Sequence, residues 1–348
     1  MNESEIRHRS HTPNRWVVAT VLLVAPLMVA ACTSTGGDER AGNSSLKTFK
    51  VSVTQATDLY GLPWNVGMKE GIFKKHGIEV TEILAGSGGA ATLRQVLSGD
   101  LPFGEVSLGA VLDGYAAGAP IKVVGSAVAS IADLTYVTNP GRADLDSIED
   151  MAGKTWGFTN PGSGTEVQSY LLPKLAGMDP SSIKRVATGG TGEGLALLEG
   201  KTVDLVYIPY NLYYQKPDSY KIVFDPTEYA PRMQITVIIT SSTVAEKDPE
   251  EVKALLASYS ESVEWIQEHS ADAAALWASY SGIEESVALK VVQRAIKFDH
   301  WSVAFDQEAL EVAAEGISLT AGAKTIPWSE LFDDSFLPAG KKGSLPSK

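Results

Sequence analysis

The sequence predicts an α/β protein of two lobes followed by a helical C-terminal segment. Three observations carry that expectation. Short β-rich runs alternate with helical runs from residue 48 to residue 240, glycine-rich turns follow several of those strands, and from Pro249 onward the pattern is helical throughout. A chain of 348 residues is long enough for about two domains. Its 44% hydrophobic content is ample for a buried core.

Taken in order, residues 49–54 alternate as a strand, and residues 62–70 carry apolar side chains at helical spacing before Gly71. A strand at 78–84 leads through Gly86-Ser87-Gly88-Gly89 into a helix at 90–97. Residues 101–107 read as a strand, 108–117 as a small-residue helix, and 121–129 and 134–138 as β-rich runs. Alternation at this rhythm predicts parallel pairing with helices on both faces. Asn139-Pro140-Gly141 breaks it, and a short helix is expected at 145–151. The alternation then resumes with strands at 154–158, 183–187 and 203–208 and helices from 165 and at 193–199. Pro173 should kink or end the helix begun at Thr165. Strands at 221–224 and 235–240 precede helices at 250–269, 270–280, 283–295 and 307–321.

The N-terminus reads as a lipoprotein signal peptide over residues 1–31. Arg7, Arg9 and Arg15 give a basic start, and residues 16–31 form an apolar stretch too short for a convincing span. The stretch ends in Val29-Ala30-Ala31-Cys32, the pattern of a bacterial lipobox, and Cys32 is the chain's single cysteine. By resemblance to bacterial lipoprotein signals, Cys32 is the expected lipidation site, a two-chain anchor strong enough for stable attachment. Residues 32–47 are polar and glycine-rich, a flexible tether. The expected location is the extracytoplasmic face of the cell membrane, lipid-anchored.

The stretch Thr159-Asn160-Pro161-Gly162-Ser163-Gly164-Thr165-Glu166 organises the candidate site. It links a strand to a helix, and Ser163 and Glu166 have the spacing of a capping box. Free N–H groups at such a helix start accept oxygen-bearing ligands. An ordinary connection with Glu166 serving only as a cap fits the same residues. Similar loops follow the other strands, and in open α/β sheets ligands sit beyond the strands' carboxyl ends. These loops carry Asp58, Glu105, Asp133, Glu166 and Glu193 and no Lys or Arg, with Tyr60, Trp64 and Tyr210 near them. An acidic, aromatic pocket suits N–H donors or a flat ring. Asp58 and Glu193 can equally be helix caps, and Trp64 can equally be core.

Other chemistries find little footing. The net charge of −13, without a basic run outside the N-terminus, excludes a nucleic-acid footprint. No H-E-x-x-H metal motif, G-x-S-x-G elbow, Walker A loop or first-strand dinucleotide fingerprint occurs, so no metal or cofactor is expected.

The segment Gly67-Met68-Lys69-Glu70-Gly71-Ile72-Phe73-Lys74-Lys75-His76-Gly77-Ile78-Glu79-Val80 resembles one found in ABC-transporter periplasmic solute-binding proteins of the nitrate/sulfonate/taurine and thiamine-pyrimidine-precursor family. The order that follows is similar too: Gly99-Asp100-Leu101-Pro102-Phe103-Gly104, Gly118-Ala119-Pro120-Ile121-Lys122-Val123-Val124, and the lead-in from Ser147 to Gly157. The resemblance spans about residues 49–319. It implies a type II periplasmic-binding-protein fold, with a large lobe of residues 48–138 plus 233–348 and a small lobe of residues 139–232. It further implies a monomer that closes on a small molecule and docks on ABC permease and ATPase subunits, and is not an enzyme. Family pockets use the loops above, which places Asp58, Tyr60, Ser87, Gly88, Glu105, Ser163, Gly164, Thr165 and Tyr210 at the ligand. Trp64, Asp133 and Glu193 join them from the residue reading alone. Sulfonate, taurine and nitrate binders hold an anion; the acidic loops here favour a pyrimidine-like or amine-bearing ligand. The alternatives are an enzyme of the thiamine-pyrimidine synthase type, which would need an active-site histidine, and an extracellular ligand sensor.

Overall fold

In this computed structural model, residues 46–86, 89–322 and 325–347 are described. The signal peptide, Cys32, nearly all of the tether, Ser87 and Gly88 lie outside them. The first group of elements is β1 (Lys47–Thr54), α1 (Leu62–Lys69), α2 (Ile72–Lys75), β2 (Ile78–Gly86), α3 (Gly89–Ser98), β3 (Phe103–Ser107), α4 (Leu108–Ala116) and β4 (Ile121–Val128). The second group is β5 (Leu134–Thr138), β6 (Thr155–Phe158), α5 (Gly164–Leu175), β7 (Lys184–Ala187), α6 (Thr191–Glu199), β8 (Val206–Pro209), α7 (Tyr210–Gln215) and β9 (Lys221–Phe224). Then come β10 (Thr236–Ser241), α8 (Ser242–Lys247), α9 (Pro249–Glu268), α10 (Ser270–Ser281), α11 (Glu285–Lys297) and α12 (Gln307–Ala321).

Five strands form one sheet in the order β2-β1-β3-β10-β4. β1 lies parallel between β2 and β3, and Val51, Ser52 and Val53 are all buried, as expected of a strand covered on both faces. β10 runs antiparallel to both β3 and β4. The expectation of purely parallel pairing therefore fails here, because the chain re-enters this sheet from the second group in the opposite direction. A second sheet, β8-β5-β9, is antiparallel, and β6 and β7 form a parallel pair.

Two further differences from the sequence reading concern the start of the second group. β5, placed by sequence with the first lobe, pairs with β8 and β9, so the chain crosses from the first sheet to the second between β4 and β5. The helix expected at residues 145–151 is only a single 3₁₀ turn, Glu149–Met151. Its sequence offers a competing local arrangement: the Asp150 carboxylate accepts the backbone N–H groups of Asp146 (2.9 Å) and Ser147 (3.0 Å).

α5 ends two residues after Pro173, the early end that this proline led one to expect. Proline has no N–H for the carbonyl four residues back, that of Ser169. Arg185 supplies the missing donor, its Nη2 bonding to Ser169 O at 2.7 Å while its guanidinium lies over the Tyr170 ring. The core has an aromatic centre on each side. Trp64, Phe73 and Tyr259 pack α1 and α2 on α9, and Tyr136, Trp156 and Phe224 pack β5, β6 and β9 together.

Ile238 stands fully buried at the middle of β10, between two strands. Ile238→Ala should cost about 2–5 kcal/mol in urea unfolding. Val186→Ala on the exposed β7 should change stability by under about 0.5 kcal/mol.

Candidate functional site

A cleft of about 410 Å³ opens where the strand ends of the two groups face one another. The first group contributes Gln55, Asp58 and Tyr60 after β1, and Ser107 and Gly109 after β3. The crossing contributes Asp133. The second group gives Thr159, the five residues from Pro161 to Thr165, Gln168, Thr191, Tyr207 and Asn211. The return into β10 adds Gln234 and Thr236, and the C-terminal helices close one side with Trp277, Val291, Ala313 and Ile317.

Gln55 holds a left-handed backbone, φ 57°, uncommon for a residue with a side chain and often found at ligand sites. Asp58 precedes a 3₁₀ turn at Leu59–Gly61 yet makes no side-chain capping bond, so its carboxyl is not spent as a cap. Burial raises that carboxyl above the usual carboxylate range.

The turn at residues 159–166 is bound largely to itself. Ser163 Oγ caps α5 by accepting from Glu166 N at 3.1 Å, and the Glu166 carboxylate takes the N–H of Gly162 at 2.6 Å. Glu166 thus reaches one residue beyond the Ser163 N–H that a standard box would use. The Thr165 hydroxyl bonds those of Thr159 (2.8 Å) and Ser163 (3.0 Å). Gly162, at φ 81°, makes the bend that brings Ser163, Gly164 and Thr165 to the cleft.

Asp133 is the most distinctive group. Its Oδ1 is buried and has no hydrogen-bond partner, although the residue lines the cleft. Burial lifts its carboxyl to about 7; the nearby Asp58 charge adds to the rise, while Tyr60 and Arg294 oppose it. Tyr60 is held well above its ordinary value, first by burial and then by the charges of Asp133, Glu105 and Asp58. Among the described residues lining the cleft there is no Lys, Arg or His.

Four sequence candidates stand elsewhere. Glu105 is fully buried behind the cleft wall, accepting from Trp64 Nε1 (2.6 Å) and from Thr236 Oγ1 (2.7 Å). Burial raises its carboxyl to about 7 despite those two donors. It reaches the cleft only through Thr236, and Trp64 is core, as its alternative reading had it. Tyr210 is buried outside the lining, its hydroxyl on Asp225 and its ring under Arg294. Glu193 is exposed in the first turn of α6 and does not line the cleft. Ser87 and Gly88 are outside the described residues. The sequence reading placed Tyr207 among the aromatic side chains near the pocket without choosing it as a site residue, and chose none of Gln55, Gln168, Gln234 or Trp277. Gln55 stands in the loop after β1; the rest sit in strands, helices or a crossing, where only the folded chain brings them together.

Such a cleft can accept N–H donors at Asp58 and Asp133, flank a ring with Tyr60, Tyr207 and Trp277, and offer N–H groups at the start of α5. The model of the NMT1/THI5-like family matches residues 60–273, and the chain belongs to that family. Comparison with curated protein sequences returns no match. Among solved structures, a Candida albicans gene product, CA3427, with the generic periplasmic-binding-protein fold is 16% identical (TM-score 0.65; 87% of this chain, 99% of that one). The periplasmic aliphatic sulphonate binding protein SsuA of Escherichia coli is 15% identical (TM-score 0.66; 82% and 97%). The periplasmic nitrate-binding protein NrtA of Synechocystis PCC 6803 is 12% identical (TM-score 0.56; 70% and 69%). The fold is therefore that of periplasmic binding proteins, as the sequence resemblance implied.

The raised carboxyls have a consequence for stability. A carboxyl whose folded value lies above its unfolded one stabilises the fold while protonated, and that contribution is lost as pH rises through the folded value. His300, lowered to about 3 by burial, acts oppositely, but its effect is complete above its ordinary value of 6.5. Between pH 6.5 and 8 the ligand-free protein should therefore lose thermal stability. The double variant Glu105→Gln, Asp133→Asn should give a flat profile across that window in scanning calorimetry.

Proposed function

We propose that this member of the NMT1/THI5-like family is an extracytoplasmic solute-binding protein whose ligand is a small organic molecule bearing a basic nitrogen or an aminopyrimidine-like ring. The observation that carries the reading is the cleft's charge: two carboxylates, one with an unpartnered buried oxygen, and no cation among the described lining residues. A cationic or N–H-rich head would complete the partial compensation that Tyr60 and Arg294 give the buried Asp133, whereas a sulfonate would add a third negative group to it.

Capture would proceed by closure of two lobes about the crossings near residues 129–133 and 230–235, with delivery to the permease and ATPase of an ABC importer. The lobes would be residues 48–132 plus 233–348 and residues 133–232, a division that the pairing of β5 with β8 and β9 supports. Lipidation at Cys32 would tether the monomer to the membrane's outer face. Binding without catalysis is supported by where three histidines stand. His76 pairs with Glu261, His269 stacks on Trp265, and His300 is buried against Tyr60 and Trp301. A second reading, an anion seated on the α5 N-terminus, is favoured by the approach of Gly162 to Thr165 to the cleft.

A thermal-shift panel of aminopyrimidines, polyamines, flavins, alkanesulfonates, taurine and nitrate separates the two. A ligand at 100 times its Kd should add about 2.7 kcal/mol. An amine or aminopyrimidine should produce the shift, and Asp133→Asn should weaken it by about 10- to 100-fold in Kd. Its affinity should also fall as pH drops below 7, because protonation removes the Asp133 charge. A shift by sulfonate or nitrate alone, unaffected by Asp133→Asn, would transfer the assignment to the anion reading.

A further inference from the structure

Two cavities share Ile317 as a lining residue. One is the cleft, whose wall on this side is Leu108, Val167, Ala313 and Ile317. The other, a groove of about 390 Å³, is lined by Leu112, Tyr115, Ala314, Ile317, Ile326 and Pro327 with four smaller residues, and among the described residues lining it none is charged. The same two helices wall both. On α4, Leu108 faces the cleft and Leu112, one turn on, faces the groove; on α12, Ala313 and Ile317 face the cleft and Ala314, Ile317 and Ser318 the groove. Tyr115 directs its hydroxyl away to Glu330 at 3.0 Å, which leaves its ring to the groove.

Polarity in the cleft is lopsided in the same sense. Its hydrogen-bonding groups come from the strand-end loops, from Tyr207 and Thr236 on strands, from Gln168 and Trp277 on helices and from Gln234 on the return crossing, whereas its side chains from α4 and α12 are aliphatic. A molecule held by its head at Asp58 and Asp133 leaves its apolar part against that aliphatic side. We propose that the groove is a second subsite for the same ligand and takes an apolar arm, an alkyl chain or its equivalent, that passes Ile317. The inference rests on the cleft being the ligand site, and not on the charge of the head.

The test is calorimetric titration of the purified protein with two matched series, n-alkylammonium ions and n-alkanesulfonates, from ethyl to octyl. Whichever head binds, Kd should fall about fourfold for each methylene added beyond butyl. Ala314→Trp on α12, or Ala116→Trp on the α4 wall, should remove that gain for hexyl and octyl and leave ethyl and butyl unchanged. Intact binding of the short members also shows that the variants fold. A Kd that levels off at butyl in the unaltered protein, or a gain that survives both tryptophans, overturns the groove as a subsite. A gain seen in the sulfonate series alone keeps the groove and removes the preference for a basic head. Binding of neither head removes the cleft as the ligand site, and the groove with it.

Discussion

A carboxylate buried without a cation at its side raises the free energy of the ionised fold, and the cleft is organised around such a group. Asp133 sits where the chain passes from the first sheet to the second, with Oδ1 unpartnered and its carboxyl lifted to about 7 by burial. Asp58 approaches from the end of β1, and Glu105 lies behind the wall through Thr236. Three acids around one cavity make a ligand with a positive or N–H-rich head the simplest source of compensation. The nearest cation on this side, Arg294, is already committed to the Asp225 carboxylate (2.6 and 2.8 Å) and to Ala132 O (2.8 Å).

That commitment also serves the architecture. Arg294 comes from α11, Asp225 follows β9, and Ala132 belongs to the crossing, so one guanidinium ties the helical tail to both the second sheet and the connection. Tyr210 stacks under it and bonds Asp225 from the start of α7. Gln234, on the return crossing, is bound on all sides by Ser126, Val128 O and Thr236 O. Both crossings are thus fixed by buried polar bonds, and the cleft they frame inherits a defined geometry.

Much of this was legible in the sequence. Periodicity found the ten strands and the longer helices, because elements such as β1, α9 and α12 bury one or both faces in a regular way, but it missed the short helices α2, α7 and α8. The turn at residues 159–166 was readable because glycine, a capping serine and Glu166 act over local distances. Antiparallel β10 and the partners of β5 were not, since strand direction and long-range pairing are set by where the chain returns. The site divided along the same line. Asp58, Tyr60, Asp133 and Ser163 to Thr165 stand at strand ends and line the cleft, whereas Glu105 alternates to the hidden face of β3 and Tyr210 turns away to Asp225. Trp277 and Ile317 reach the cleft from helices more than 200 residues beyond β1, a placement that periodicity alone does not encode.

The most direct measurement is a crystal structure grown with the strongest stabilising ligand from the panel. The account predicts a ligand nitrogen at about 3 Å from Asp133 Oδ1, the buried oxygen that now has no partner. Density for an anionic group against Gly162 to Thr165, with no donor at Asp133, would contradict it. So would a ligand bound outside the cleft.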